Sequence, residues 1–180
     1  MKFWKNNPAI YEINTWVWLN EMSEQLRFPV NLGNVPSEKW DEVKKLNVDA
    51  VWLMGVWERS PTGILVSNHH AGNLMDFRRA LPDFTASDNV GSPYCVRQYV
   101  VDEHLGGKKG LEIARDQLAS RGIRLILDFV PNHLAHDHPW VKEHPDYFIR
   151  GEKADLERDP ITFTKIGSNV FACRKDPFFP

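Results

Sequence analysis

Three apolar runs of strand character alternate with two segments of helical periodicity, and this order constrains the fold more than any other feature of the chain. The strand-like runs are Ile10–Leu19, Ala50–Met54 and Ile123–Val130, and the helical segments between them are residues 36–47 and 108–122. The run Ala50–Met54 reads as a strand buried on both faces. A β-α-β-α-β order predicts parallel strands joined by right-handed crossovers.

Both helical segments combine helical spacing of apolar residues with recognisable ends. Ser37 is the expected N-terminal cap of the first segment, and Gly122 is the expected C-terminal stop of the second. The apolar positions that set the spacing are Trp40, Val43 and Leu46 in the first segment and Leu111, Ala114 and Leu118 in the second.

The lengths of the connections between helices and strands favour a (β/α)₈ barrel over a doubly wound sheet. Each helix returns to the next strand through one or two residues, at Asn47 and at Gly122, whereas each strand leaves through a longer segment. Short αβ turns with elaborate βα loops are typical of a (β/α)₈ barrel, whose active face lies at the strand C-termini. A doubly wound sheet is the alternative, but its glycine-rich phosphate signature is missing after every strand. We therefore expect an incomplete (β/α)₈ TIM barrel consisting of the first three βα units.

The chain divides after the third strand. Residues 1–128 are expected to form the N-terminal part of the barrel. Residues 129–180 contain no clear helix or strand and are rich in histidine, proline, aspartate and aromatic residues. A structureless stretch of this length is usually a functional excursion or a small inserted domain.

Charge and composition exclude several classes of partner. A formal net charge of -2 and a pI near 6.4 give no electrostatic case for binding nucleic acid or an anionic membrane. No apolar run is long enough to span a bilayer, and the N-terminus lacks the apolar core of a secretory signal. Cys95 and Cys173 show no metal-ligand spacing and suggest a reducing compartment, so we expect a cytoplasmic protein.

Asp128 lies inside the third apolar run, directly after Leu125–Leu127, and Asn132 and His133 follow within one short turn. A buried carboxylate is costly unless it is paired, so an acid at this position is paired, placed at an opening, or both. Singly, Asp128 would be a turn cap and His133 a surface residue. Together, at the C-terminal end of a barrel strand, they indicate a functional site.

Histidines continue the same stretch and raise the possibility of a metal. His133, His136 and His138 form a cluster, but the metallo-β-lactamase pattern H-x-H-x-D-H would need a histidine where Ala135 stands. A solvated loop is the better account of His136 and His138.

For several side chains near the strand ends, the sequence pattern does not decide between a place in the core and a place at a pocket. Tyr94 follows a Gly-Ser-Pro turn and is either a core residue or a ring presented over a pocket, where it would stack on a sugar. Trp52 is expected in the core. Trp57 and Arg59 either line the opening or pack beneath the long loop after the second strand.

These residues resemble the α-amylase family, glycoside hydrolase family 13. "LILDFVPNH" resembles its first conserved region, D-x-x-x-N-H, and "GSPYCVRQY" resembles the glycine-then-tyrosine loop that precedes that region. "YEINTW" and "WDEVKKLNVDAVWLMGVW" look like the first strand, first helix and second strand of the family. "FACRKDPFFP" resembles a segment that lies shortly before the fourth strand in some bacterial members.

The resemblance implies roles for four residues. The residue matching His133 hydrogen-bonds the sugar in the cleavage subsite, and the one matching Tyr94 stacks on that sugar. The one matching Asp128 supports the active-site network, and the one matching Asn132 binds calcium in many members and is structural in others. The chain departs from the family at Gln98, where an aspartate often stands, so no polar role follows there.

The resemblance also implies an activity, namely retaining cleavage of α-glucosidic linkages in an α-glucan or α-glucoside. The aspartate nucleophile and glutamate acid/base of the family come from later strands, which would lie beyond Pro180, so the 180-residue chain alone is expected to be inactive. Two alternatives remain, a metal-dependent hydrolase using His133, His136 and His138, and a non-catalytic carbohydrate-binding relative.

Overall fold

A computed structural model describes residues 4–173 as an α/β structure. The tail motif noted above extends into residues 174–180, which lie outside the described residues. The strands are β1 (Ile10–Asn14), β2 (Ala50–Met54), β3 (Trp57–Arg59), β4 (Val96–Val101), β5 (Arg124–Ile126), β6 (Arg150–Gly151), β7 (Phe163–Ile166) and β8 (Asn169–Ala172). The helices are α1 (Thr15–Leu26), α2 (Ser37–Lys45), α3 (Pro61–His69), α4 (Ala71–Ala80), α5 (Gly107–Ser120), α6 (Trp140–Glu143) and α7 (Lys153–Arg158).

A parallel sheet of order β1-β2-β5 carries the site, and its strand direction confirms the prediction. Four of the five residues of β2 are buried, because β2 pairs on both sides and packs against helices. In β1 only Ile13 is buried. Within the described residues, β1 and β5 each pair along one edge only.

The first strand is shorter than predicted. The sequence pattern placed Thr15–Leu19 in the strand, but this segment opens α1, and that prediction is wrong. Asn14 caps the helix, since its Oδ1 accepts a hydrogen bond from the Val17 amide at 3.4 Å. Thr15, Leu19 and Met22 are then buried on one helical face, which explains why strict alternation fails there.

The two predicted crossover helices are confirmed, but their ends differ from those predicted. Ser37 is the first residue of α2 and makes no capping bond; its Oγ instead accepts a hydrogen bond from Arg121 Nη2 at 2.8 Å. Leu46 follows the helix and is 51% exposed, so it does not belong to the buried face. The longest helix, α5, has 14 residues, and within residues 4–173 no helix is both long and apolar enough to cross a membrane.

The excursions after β2 and β5 contain more structure than the sequence indicated. The first holds α3 and α4 between the antiparallel pair β3-β4. The second, expected to lack useful elements, forms α6, α7 and an antiparallel sheet of order β6-β8-β7. Its strands have two to four residues, too few for alternation to be read. Phe171 contacts Phe148 edge to face at 5.7 Å and fixes the sheet.

Candidate functional site

Asp128 is the best-connected residue at the C-terminal edge of the parallel sheet. Its carboxylate is 8% exposed and accepts hydrogen bonds from Trp52 Nε1 at 2.8 Å and from the Gly55 amide at 2.6 Å. Its carbonyl accepts a third, from Trp57 Nε1 at 2.9 Å. These donors replace the water lost on burial. Asp128 therefore joins the ends of β2 and β5.

Gly55 is required where it approaches Asp128. Its φ is +80°, and a Cβ added there would lie 2.8 Å from Pro93 Cβ. A larger residue would be strained and would collide with the loop that leads to Tyr94. The strand end thus depends on a glycine to deliver its N–H to the carboxylate.

The aromatic and basic residues near Asp128 resolve the alternatives left open. Trp52 is half-buried and lines a cavity, so the prediction that it is core is wrong, because its side of β2 is not covered by a packed layer. Trp57 packs edge to face on Tyr99 at 5.4 Å. Arg59 lies beneath the loop, over the Trp16 ring at 4.8 Å, and its Nη1 donates to the Gly91 carbonyl at 2.8 Å.

Two nearby carboxylates stabilise the charged form of the buried Arg59. Burial lowers the pKa of the guanidinium, while the carboxylates of Asp102 and Asp128 act in the opposite direction. An arginine remains charged at neutral pH under such a shift. It therefore balances part of the negative charge of Asp128.

Tyr99 holds the segment that follows β5. The Val130 amide donates to Tyr99 Oη at 2.8 Å, and the same hydroxyl donates to the Val130 carbonyl at 3.1 Å. The hydroxyl thus takes the place of a neighbouring strand, which explains why the predicted strand to Val130 ends at Ile126. The sequence contains no local sign of this contact.

An open cavity of about 620 Å³ lies against the end of β5. It brings together three of the predicted residues, Tyr94, Asp128 and His133. His133 Nε2 lies 3.1 Å from the Tyr94 carbonyl oxygen, and its Nδ1 lies 3.2 Å from Asn132 Oδ1. The lining is Trp52, Tyr94, Ile126, Leu127, Asp128, Phe129, Val130, Pro131 and His133.

The cavity suits a neutral ring with apolar faces and hydroxyl edges. Tyr94 is 40% exposed. Burial, with smaller contributions from Asp128 and Glu12, raises the pKa of its phenol, which therefore stays neutral. Among the described residues that line the cavity, Asp128 is the only carboxylate, and two N–H groups already donate hydrogen bonds to it. These residues can bind and orient a sugar, but retaining hydrolysis needs a pair of available carboxylates.

The histidine cluster does not assemble as a metal site. His136 is exposed, whereas His138 is 4% exposed and its Nδ1 accepts a hydrogen bond from the Trp140 amide at 3.1 Å. Burial lowers the pKa of His138 and keeps it neutral. Across residues 4–173, no three His, Cys, Asp or Glu side chains are grouped to hold a metal ion. The metal-dependent hydrolase is not favoured.

Asp137 is a well-connected residue that the sequence did not single out. Its Oδ1 accepts from Ser60 Oγ at 2.7 Å and its Oδ2 from the Thr62 amide at 3.1 Å. Ser60 Oγ in turn accepts from the Gly63 amide at 2.8 Å. The carboxylate thus fastens the loop containing His133 to the N-terminus of α3. Burial raises its pKa, but the bonds from Ser60 and Thr62 outweigh this and hold the pKa below its ordinary value.

Removing the Asp137 carboxylate should loosen this junction. We expect Asp137→Ala in the full-length protein to lower the free energy of unfolding by about 1 to 2 kcal/mol at neutral pH, as for a lost helix cap. Because the folded pKa is lowered, the stabilisation is complete above the ordinary carboxyl pKa and is lost as pH falls through the folded value. Urea unfolding at neutral and acidic pH measures both effects. Asp146→Ala, at an exposed position of the same excursion, is the control, and equal stability of the two variants at neutral pH would refute the role.

Most of the chain matches one protein family. The family profile described as "Alpha amylase, catalytic domain" matches residues 36–166. A probable oligo-1,6-glucosidase of Bacillus subtilis is 31% identical over 106 residues, which are 57% of this chain and 14% of that protein. The amino acid transporter heavy chain SLC3A1 of Mus musculus is 27% identical over 119 residues, 62% of this chain and 13% of that protein.

Solved structures show the same fold. An alpha-amylase from Lactobacillus plantarum superposes with a TM-score of 0.58 at 20% identity, covering 93% of this chain and 31% of the other. A maltogenic alpha-amylase from Thermotoga neapolitana gives a TM-score of 0.55 at 19% identity, covering 92% and 31%. The chain therefore spans about a seventh of these curated relatives and about a third of these structures.

Proposed function

The chain belongs to the α-amylase catalytic-domain family of glycoside hydrolases, and from that premise we propose that it is the N-terminal part of an enzyme that cleaves α-glucosidic linkages with retention. One observation carries the proposal. Tyr94, Asp128 and His133, which come from two separate loops, line one cavity at the C-terminal edge of parallel strands. Barrel enzymes place their chemistry at this edge.

The proposed architecture is an incomplete barrel. Residues 1–128 would supply its first three βα units, and residues 129–180 a domain B-like excursion. The open edges of β1 and β5 support this, since each has a free side for a further strand among the described residues. Exposed apolar side chains beside them, including Tyr11 and Phe129 at 43% and 75%, would be covered by the remaining units.

Each site residue has a proposed part in the reaction. Tyr94 would stack on the sugar in the cleavage subsite, and His133 would hydrogen-bond a hydroxyl of that sugar. Asp128 would hold the strand ends in register, because its oxygens are already engaged by Trp52 and Gly55. The aspartate nucleophile and glutamate acid/base would come from strands encoded beyond Pro180. The substrate is accordingly an α-glucan or α-glucoside.

Calcium at Asn132 and a cytoplasmic location stay predictions. Calcium takes six to eight oxygen ligands, whereas Asn132 is exposed and its Oδ1 lies 3.2 Å from His133 Nδ1. Within the described residues, no group of three or more His, Cys, Asp or Glu side chains that could hold a metal ion is found. The residues present do not fit a complete calcium site.

A non-catalytic relative is the weaker candidate. The SLC3A1 similarity supports it, since that protein is named as a transporter subunit, and fold does not fix function. The oligo-1,6-glucosidase similarity and the aromatic cavity favour the enzyme.

One experiment tests the proposed activity and its stereochemistry. The full-length protein would be incubated with 4-nitrophenyl α-glucoside, and the anomer released first would be followed by proton NMR. Retention predicts α-glucose first, because two displacements restore the configuration. Initial β-glucose would overturn retention, and no turnover of any α-glucoside would overturn the enzyme.

Substitutions of Tyr94 separate its ring from its hydroxyl. If the ring stacks on the sugar, Tyr94→Phe in the full-length enzyme should change kcat/KM by less than about threefold, because the apolar face is kept. Tyr94→Ala should lower kcat/KM by roughly tenfold or more, since a stacking contact of about 1.4 kcal/mol is lost. Equal, small effects of both changes would assign Tyr94 to the surface or core.

A further inference from the structure

The segment that carries His133, residues 130–135, contains no helix or strand and is held by β4. At one end, Tyr99 Oη hydrogen-bonds the amide and the carbonyl of Val130 at 2.8 and 3.1 Å. At the other end, the Ala135 amide donates to the Val96 carbonyl at 3.2 Å. Val96 and Tyr99 both belong to β4, so one strand fixes both ends of the segment, and His133 lies between them.

The two attachments differ in kind. The bond at Ala135 joins two backbone groups, so it does not depend on the side chain at position 96. At Val130, in contrast, both backbone groups meet one side-chain hydroxyl, which can donate and accept at the same time. Phenylalanine at position 99 would keep the ring but remove both bonds. The hold on Val130 therefore depends on tyrosine.

The ring of Tyr99 is itself fixed by its neighbours. Trp57 contacts it edge to face with ring centroids 5.4 Å apart, and Phe129 lies against it at 6.1 Å. Trp57 Nε1 also donates to the Asp128 carbonyl at 2.9 Å. The two rings thus hold Asp128 and Val130, two positions apart on the same segment. A hydroxyl on a ring that is packed in this way has a defined place.

The place of His133 depends on this hold. Its imidazole is exposed, and Nε2 and Nδ1 lie 3.1 Å from the Tyr94 carbonyl oxygen and 3.2 Å from Asn132 Oδ1. Asn132 belongs to the same segment, so a shift of the segment moves the ring and one of its partners together. A displacement of about 1 Å at a reacting site can cost roughly a hundredfold in rate.

We propose that Tyr99 is a positioning residue for the cleavage reaction, and that its hydroxyl sets the place of His133 by holding Val130. This inference rests on the proposed function, because it needs the part given to His133 there. Tyr99 is not among the described residues that line the cavity of Tyr94, Asp128 and His133. It therefore acts through His133 and does not touch the sugar.

A double-mutant cycle in the full-length protein tests whether Tyr99 acts through His133. The value of kcat/KM on 4-nitrophenyl α-glucoside would be measured for the wild type, Tyr99→Phe, His133→Ala and the double variant. Tyr99→Phe should lower kcat/KM by about tenfold, since it displaces His133 without removing it. In the His133→Ala background the same change should have less than about a twofold effect, because the group through which it acts is gone.

The matched control removes another phenol hydroxyl. Tyr147 is 62% exposed and lies outside the lining of the cavity. Tyr147→Phe makes the same chemical change and should leave kcat/KM within about twofold in both backgrounds.

A second measurement follows His133 without turnover. In the full-length protein labelled with ¹⁵N-histidine, the ring signals of His133 are those lost in His133→Ala. Tyr99→Phe should shift these signals, because the hydrogen bonds of the ring nitrogens change. The ring signals of His69, whose Nδ1 lies 2.8 Å from the Leu65 carbonyl oxygen in α3, should stay in place.

The outcomes separate this inference from the function on which it rests. Equal factors for Tyr99→Phe in the two backgrounds overturn it, since they assign Tyr99 a structural role. Unchanged kcat/KM and unchanged His133 signals in a folded Tyr99→Phe variant overturn it as well, and so does a Tyr99→Phe variant that circular dichroism shows to be unfolded. If the wild type does not turn over the α-glucoside but Tyr99→Phe shifts the His133 signals, the proposed function is wrong and the hold of Tyr99 on His133 stands.

Discussion

His133→Ala in the full-length protein should lower kcat/KM on an α-glucoside by about a hundredfold, the cost of losing one hydrogen bond to a charged transition state. The imidazole is exposed in the cavity, and its Nδ1 and Nε2 already lie within 3.2 Å and 3.1 Å of Asn132 Oδ1 and the Tyr94 carbonyl oxygen. A neutral imidazole donates to only one of these two oxygens, so its other nitrogen can accept a hydrogen bond from a sugar hydroxyl.

The matched control for His133 is another exposed histidine. His69 ends α3 and lies outside the lining of that cavity, so His69→Ala should leave kcat/KM within about twofold, as expected for a surface change. His133→Gln tests whether a neutral side-chain donor restores part of the lost activity. Unchanged kinetics in a folded His133→Ala variant would remove His133 from the site.

Residues 1–180 expressed alone should show no glycosidase activity. Neither Asp128, held by Trp52 and Gly55, nor His133 supplies the paired acid and nucleophile that retaining cleavage needs. The assay is glucose release from 4-nitrophenyl α-glucoside, with the full-length enzyme as the positive control. If residues 1–180 turn over the substrate faster than an identically purified blank, the proposal that the nucleophile and the acid/base lie beyond Pro180 is wrong.

The same chain should also associate or aggregate in isolation. The parallel sheet β1-β2-β5 has open edges on both sides among the described residues, and open strand edges next to apolar side chains promote association. Size-exclusion chromatography and thermal unfolding measure this. A monomer that unfolds cooperatively would show that three parallel strands are sufficient for a stable fold, and it would contradict the proposal of an incomplete barrel.

The order of elements and the placing of Asp128 and His133 at a strand end could be predicted from local pattern, whereas only the family resemblance grouped Tyr94 with them. The apolar run Ala50–Met54 and the helical periodicity of residues 36–47 and 108–122 required parallel crossovers. Parallel strands carry their C-terminal ends to one edge of a sheet. Residues placed just beyond those ends therefore lie near one another, as the cavity shows.

Local sequence was thus enough to predict which segments form the parallel sheet and at which edge Asp128 and His133 lie, because periodicity and turn chemistry depend on a few neighbouring residues. The tertiary structure decided the rest. Asp137 reaches Ser60 across 77 positions and Tyr99 reaches Val130 across 31, and no local pattern encodes a partner that distant. Trp52 faces a cavity because no packed layer covers that side of β2. The strands β6, β7 and β8 have two to four residues each, too few to specify a strand alone, and they form because neighbouring strands supply their hydrogen bonds.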